Sequence, residues 1–436
     1  MTRGRRARAR LRAISIAATA LALLGARSAI SQPAPSDTPG LSQGGGLSRD
    51  EVRRRAERLS ELGRALFFDP ALSGSGKMAC SSCHDPGHAF GPANDRAIQL
   101  GGSDLRQPGQ RAVASLKYLQ AVPAFTEHFF ESEDDADESV DNGPTGGLTW
   151  DGRVDRGRDQ AKIPLLSPFE MDNADAAEVV RHLLAAGYGD KIAATLGRPD
   201  TPDTDTLFAT AAKALEVFQQ DYRSFYPYTS KYDAFLAGNA TLTRQEARGL
   251  ELFNDAEKGN CNSCHISRRG KDGTPPQFTD YGLIALGVPR NPEIPANRDS
   301  SYFDLGLCGP LRTDLTDRRD YCGRFRTPTL RNVALRKVFY HNGIFRSLRQ
   351  AVEFYAERET NPGRWFARNA DGSVNTYDDL PPDAKANVNV EPPFNRHVGD
   401  APALSAAEID DMVAFLGTLT DGYLTPPQPD ARRSAP

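Results

Sequence analysis

The chain has 436 residues, about three domains' worth at ~150 residues each, so a miniature disulfide-stapled scaffold is excluded. Hydrophobic residues make up 39% and charged residues 25%, near globular averages, which excludes a disordered chain and a polytopic membrane protein. The formal charge of −4 becomes −11 when the seven arginines of the leader described next are removed, so nucleic acid is excluded as a partner.

Residues 1–31 begin with arginines, run through an apolar stretch from Ala13 to Ala26 and finish on small residues, the pattern of a secretory signal cleaved before Gln32. The stretch is short for a bilayer span of ~20 residues, so no membrane span is expected in the mature form; the alternative is an uncleaved anchor. Residues 32–47, rich in Pro, Ser and Gly, read as a flexible linker. Order is expected from Ser48, where Ser48 to Glu51 resembles a capping box, and the spacing predicts a helix over Val52–Phe68 that stops before Asp69-Pro70. Further helices are predicted over 174–186, 205–222, 243–253, 348–358 and 405–419, the last opening on a box formed by Ser405 and Glu408. Alternating strand patterns are scarce, so the fold class is mainly α. Long Gly/Pro-rich connections at 131–149 and 359–404 exceed ordinary loop lengths and need a cofactor or metal to organise them. Glu131 to Asp141 holds seven acids in eleven residues and reads as a solvated loop, or else as a landing site for a basic donor or a metal. Trp365, Phe366 and Tyr377 in the second connection read as a partner surface or as cover for a cofactor.

Four of the six cysteines fall in two copies of one motif, Cys80-Ser81-Ser82-Cys83-His84 and Cys261-Asn262-Ser263-Cys264-His265. This is the form that attaches a c-type haem: two thiols three residues apart bond to the porphyrin vinyl groups, and the adjacent histidine reaches the iron. The chain's own composition supplies roughly 0.001 such matches by chance, so two copies exclude coincidence. The competing readings are a thioredoxin-like redox pair and half of a zinc site. The segment from Leu59 to Phe68 before the first motif is echoed by Ala247 to Phe253 before the second. An internal duplication follows, with its boundary near 223–229: one cytochrome c-like domain over 48–225 and another over 226–436, each around one covalent haem. Cys308 and Cys322 remain, 14 residues apart; in an oxidising compartment they are expected to pair, against two free buried thiols.

A haem iron with both axial positions filled shuttles electrons, whereas one with an open face reacts with peroxide or oxygen. Outside the two motifs and the leader, candidate second ligands are His88, His128, His182, His341, His397, Met78, Met171 and Met412. Here the chain resembles the bacterial diheme cytochrome c peroxidases and their MauG-type relatives. The resemblance rests on both haem motifs, Trp150-Asp151-Gly152-Arg153, Gln160-x3-Pro164-x5-Glu170-Met171, the run Phe325 to Asn332, and Tyr340-His341-Asn342-Gly343, in that order. It implies a periplasmic peroxidase whose N-terminal haem meets hydrogen peroxide while the C-terminal one relays electrons. His84 would be the proximal ligand of the first haem, with Gln160, Pro164 and Glu170 on its distal side. Trp150 would relay between the haems, and His341 would sit near the same junction.

The case for Glu170 also stands on chemistry, because cleaving a bound peroxide needs a group that takes a proton from one oxygen and returns it to the other. The bland reading is a surface acid, and for Trp150 a core aromatic. Two departures point to the MauG-type branch. No histidine occurs between Phe90 and Gln120, and His88 follows His84 too closely to cross to the opposite face, so the first haem is expected to be five-coordinate. Fourteen residues beyond His341, where classical relatives place a methionine, stands Tyr355, which would ligate the second iron together with His265; otherwise Tyr355 packs and Met412 or His397 ligates. A third departure concerns calcium, which the family binds through an asparagine of an Arg-Asn motif. This chain has Arg111-Ala112, which puts the ion in doubt, although carbonyls near 336 and 338 still offer oxygens. Electrons would come from a redox protein or, as for MauG, from side chains of a protein substrate. The rivals are a non-catalytic diheme electron-transfer cytochrome and a peroxide sensor or haem-storage module.

Overall fold

The helix expected before the first cysteine motif forms as α1 (Arg49–Phe68), which buries Leu62, Gly63, Leu66 and Phe67 on one face and stops where Asp69 caps the turn at Pro70 by accepting from the Ala71 amide. The structure, a computed structural model, describes residues 48–127 and 143–423; the leader, the linker and the acidic stretch Glu131–Asp141 lie outside the described residues. A helix that the sequence reading did not anticipate, α2 (Gly157–Leu166), carries Pro164 within it. There follow α3 (Ala176–Ala185), capped by Asp175, α4 (Gly189–Leu196), ended by Gly197 at φ +71°, and α5 (Thr204–Phe218), capped by Asp203. Helix α1 crosses α5 so closely that a Cβ on Gly63 would stand 1.9 Å from the Ala214 carbonyl oxygen. Leu66, Phe67, Leu183, Ile192, Phe218 and Phe225 fill the core around that crossing.

The short helices α6 (Tyr222–Phe225) and α7 (Lys231–Leu236) lead to α8 (Arg244–Asn254), α9 (Leu348–Glu357), α10 (Pro362–Trp365) and α11 (Ala406–Gly417). Reciprocal capping boxes start α8 at Thr243 and Glu246 and α11 at Ser405 and Glu408, as expected for the latter. The α8–α11 crossing repeats the first one: a Cβ on Gly249 would stand 2.1 Å from the Asp411 carbonyl oxygen. In both copies the close glycine lies four residues before a fully buried phenylalanine, Phe67 and Phe253. A second core surrounds this crossing, with Phe253, Phe278, Phe354, Met412 and Phe415 at its centre.

Every described strand has two residues, in three antiparallel pairs: β1 (Leu100–Gly101) with β2 (Gln107–Pro108), β3 (Thr126–Glu127) with β4 (Pro144–Thr145), and β5 (Leu283–Ile284) with β6 (Phe325–Arg326). The fold is therefore mainly α with long irregular connections. Cys308 and Cys322 are joined in a disulfide across 4.9 Å between Cα atoms, at the centre of a third buried cluster with Leu283, Leu307 and Leu380. Among the described residues no helix is long and apolar enough to cross a membrane.

Candidate functional site

Both cysteine motifs fold as one short 3-10 turn followed by the histidine. The amide of His84 donates to the Cys80 carbonyl at 2.9 Å, and that of His265 to the Cys261 carbonyl at 2.8 Å. Each imidazole then meets a carbonyl through Nδ1: His84 that of Phe90 at 2.8 Å, His265 that of Phe278 at 2.9 Å. A carbonyl only accepts, so Nδ1 carries the proton and Nε2 keeps its lone pair, the tautomer an iron ligand requires. Burial holds His84 below its ordinary pKa and His265 down at about 4, so both rings are neutral at physiological pH. Desolvation pushes the Cys80 and Cys261 thiols up to about 12 and that of Cys83 to about 11. Thiols held protonated this way do not suit a reactive redox pair. Among the described residues no cluster of three or more His, Cys, Asp or Glu side chains is arranged to hold a metal ion, so the zinc reading lacks its other half.

The second motif opens onto an apolar cavity of about 180 Å³, lined by Cys261, Cys264 and His265, by Tyr355 of α9, by Met412 of α11 and by His341. Its walls also come from the 359–404 connection, which contributes Asp379, Leu380, Asn389 and Phe394. That long loop is thus organised as a wall of the apolar recess beside the second motif. Tyr355 stacks on Phe394 at 5.3 Å and on Tyr340 at 6.0 Å between ring centroids. Burial raises the Tyr355 phenol well above its ordinary range, with the nearby Arg358 charge opposing. Of the three candidate second ligands, Tyr355 and Met412 reach the cavity. His397 does not line it; its side chain is 88% exposed and lies 3.7 Å from Asp400.

Trp150 lines this cavity and also a second one of about 90 Å³, whose wall includes His88, Tyr118 and Arg336. Its indole Nε1 donates to the Ala112 carbonyl at 2.8 Å, and its own carbonyl accepts from the Arg326 amide at 2.8 Å. The next residue anchors it. Asp151 is fully buried and accepts from Arg111 Nη1 at 2.7 Å, Arg153 Nη1 at 2.8 Å and Thr149 Oγ1 at 2.5 Å. Arg111 is bidentate to Asp304 on its other side, at 2.6 and 2.8 Å. Desolvation alone would raise both carboxyls, but the Arg111 charge holds each below the ordinary carboxylate range. His341 stacks flat on Phe325 at 3.5 Å, its Nε2 lies 3.4 Å from Asp379, and its carbonyl accepts from the Ala112 amide at 2.7 Å. His88 turns away to Asp85, with 2.7 Å between Nδ1 and the carboxylate.

Gln160 and Pro164 lie one helical turn apart on α2. A proline has no N–H, so Pro164 cannot donate to the carbonyl four residues earlier, and that carbonyl is Gln160's. The chain leaves α2 through a turn that folds back on it: the Met171 amide donates to the Pro164 carbonyl at 3.0 Å and that of Asn173 to the Leu165 carbonyl at 3.3 Å. Glu170 sits on this turn, pressed against Gly101 of β1, where any Cβ would stand 2.2 Å from the Phe169 carbonyl oxygen. Glu170 is an exposed residue; the protein packed around its carboxyl still shifts its pKa upward by desolvation, against a Ser167 hydrogen bond and the Arg153 charge. Its charge adds a little to the upward shift of the Cys80 and Cys83 thiols, which places it in the neighbourhood of the first motif. Sequence reasoning named Trp150, His341, Glu170, Gln160 and Pro164 but missed the roles of Asp151, Arg111, Arg153, Asp304 and Asp379. The signal for the first of these lay inside the Trp-Asp-Gly-Arg run.

A family profile described as di-haem cytochrome c peroxidase matches residues 57–241. The methylamine utilization protein MauG of Paracoccus denitrificans is 32% identical over 393 residues, covering 86% of this chain and 92% of that one. The cytochrome c551 peroxidase of Pseudomonas aeruginosa is 26% identical over 303 residues, covering 68% and 71%. Among solved structures, the diheme peroxidase BthA of Burkholderia thailandensis matches with a TM-score of 0.71 at 40% identity, covering 87% of this chain and 90% of that one.

Proposed function

Because the chain belongs to the di-haem cytochrome c peroxidase family that includes MauG, we propose that it is an exported peroxidase in which hydrogen peroxide reacts on the Glu170 side of the His84 site and electrons arrive through the His265 site. The diheme peroxidase-like activity follows from the family. Two covalent c-type haems, one in each of two cytochrome c-like domains over 48–225 and 226–436, are supported by the paired motifs and by the separate cores around the α1–α5 and α8–α11 crossings. Bound through the four thiols, such haems would supply irons whose electrons reduce peroxide.

The chain's own residues do the rest. His84 and His265 offer Nε2 as proximal donors, each ring aimed by its Nδ1 bond to a main-chain carbonyl. The placement of Glu170 carries the reading: a carboxyl on a turn braced against Gly101, just after α2 and near the first motif. A carboxyl so placed would take a proton from one peroxide oxygen and deliver it to the leaving one. Gln160 and Pro164 shape the same wall. Trp150, which lines both cavities, would be the relay between the sites, and Tyr355, whose phenol would give up its proton on binding, would join His265 in holding the second haem. The electron source is a redox protein or, in the MauG manner, side chains of a protein substrate. Export to the periplasm is supported by the leader pattern and by the Cys308–Cys322 disulfide.

Electron paramagnetic resonance of the resting oxidised protein tests the open face: one high-spin and one low-spin signal are expected, and low-spin iron alone would leave only an electron carrier. Rapid-mixing kinetics of Glu170→Gln test the acid–base role. Both haems should stay attached while the peroxide reaction slows by about 10²–10⁴-fold; unchanged kinetics would remove Glu170 from the mechanism.

A further inference from the structure

The calcium that the family resemblance implies would need oxygen donors where Ala112 stands and at the main chain of residues 336 and 338. The structure puts nitrogen donors there instead. The Arg336 guanidinium donates from Nε to the Val338 carbonyl and from Nη2 to the Val113 carbonyl, each at 3.3 Å. The neighbouring groups are also taken: the Ala112 carbonyl by Trp150 Nε1 at 2.8 Å, and the His341 carbonyl by the Ala112 amide at 2.7 Å. A calcium ion takes six to eight oxygens, carboxylates prominent among them. Position 112 has no side-chain oxygen. The adjoining cavity of about 90 Å³ is lined by Arg326, Arg331, Arg336 and Lys337 and by no Asp or Glu. Arg331 is neutralised by Asp233 at 2.9 Å, and the remaining cations, with no acid on the wall, do not suit a divalent cation. The residues present do not fit the ion.

They do fit a tethered cation. Arg336 is half-buried on the cavity wall and forms no ion pair among the described residues. Desolvation brings its pKa down to about 10, which still leaves it charged at neutral pH. A guanidinium is a planar fork of donors, suited to bridging two main-chain carbonyls, of which Val338's is one the ion would have used.

We propose that Arg336 is a built-in replacement for the divalent ion, its guanidinium joining the 112–113 segment to the 336–338 segment. Both partners of the electron route hang on that joint, Trp150 through the Ala112 carbonyl and His341 through the Ala112 amide. Arg336 is thus a positioning residue for them, and the junction needs no metal. The inference concerns the joint and stands whether or not Glu170 acts on peroxide.

The test uses the haem-loaded protein. After EGTA treatment and desalting, elemental analysis should find far less than about one calcium per chain. The thermal midpoint and both haem resonance signals should be the same with chelator or with millimolar calcium chloride. Stoichiometric calcium, or a chelator-induced change in either readout that calcium reverses, overturns the proposal. Arg336→Ala should lower the midpoint by several degrees and shift the haem resonance signals, and Arg336→Lys, which keeps the charge without the fork, should fall between. An Arg336→Ala protein with wild-type signals and midpoint also overturns it; should that variant not accumulate, the chelation result on the natural chain decides alone.

Discussion

Replacing Asp151 by asparagine keeps the shape of the side chain and removes the negative charge that holds Trp150 in place. In the natural chain the buried cluster is balanced: Arg111 and Arg153 face Asp151 and Asp304. The variant leaves one positive charge in excess at a site where Asp151 is fully buried and Arg111 nearly so. Removing one partner of a buried pair costs about 3–5 kcal/mol. Arg111 keeps its bidentate contact with Asp304, and Arg153, with a fifth of its side chain exposed, can turn to water, so the low end applies, about 3 kcal/mol. In a chain of this size the thermal midpoint should fall by roughly 3 °C. Unfolding of the haem-loaded protein, followed by circular dichroism and by haem absorption, measures it. The pH dependence supplies a second check. Asp151 and Asp304 are held below their ordinary pKa, so their contribution is complete above the unfolded value of about 3.9 and is lost as the pH falls below it. The gap between natural and variant midpoints should therefore narrow below about pH 4. A variant with the natural midpoint, or a gap that widens on acidification, would refute the reasoning.

Tyr355→Phe keeps the stacking on Phe394 and Tyr340 and removes only the phenol oxygen. Both haems should remain attached while the low-spin resonance signal changes, and an unchanged signal would pass the ligand role to Met412. Gly249→Ala places a methyl 2.1 Å from the Asp411 carbonyl oxygen and should open the α8–α11 crossing at a cost of about 3 kcal/mol, read as a reduced haem-to-protein ratio. Gly63→Ala should do the same at the α1–α5 crossing; full haem content in both variants would show that the crossings yield. Cys308→Ser with Cys322→Ser removes a loop closed by a disulfide across 14 positions and should cost about 3 kcal/mol, measured as a lower midpoint that reductant no longer changes.

The helices that packing defines were legible because each carries its own apolar stripe and its own cap. Helix α11 shows both, with Ser405 and Glu408 bonding reciprocally and Ile409, Met412, Phe415 and Leu416 turned inward. Helix α2 was not legible, because Gly157 and Pro164 read as breaks. The proline is tolerated there because the turn folds back to use the Pro164 carbonyl, while the one main-chain bond lost falls on Gln160. The 359–404 connection was recognisable as a loop in need of an organiser. Its role as a cavity wall was not, since Asp379, Asn389 and Phe394 acquire that role only by standing opposite Tyr355 and His341.

The same distinction separates the two halves of the chemistry. A c-type attachment motif must be contiguous, because one turn of chain has to deliver two thiols and an imidazole to one ring, and contiguous requirements leave a pattern in the sequence. The junction has no such constraint. Arg111 meets Asp304 across 193 positions and Arg336 meets Val113 across 223. Each partner alone is an ordinary charged or apolar residue. What could be read was the gap they fill: an alanine at position 112, where the resemblance called for an oxygen donor. A site that loses a ligand must either lose its ion or replace the ion's charge. Arg336, donating to carbonyls on both sides of the joint that holds Trp150 and His341, is the form the second course takes in this chain.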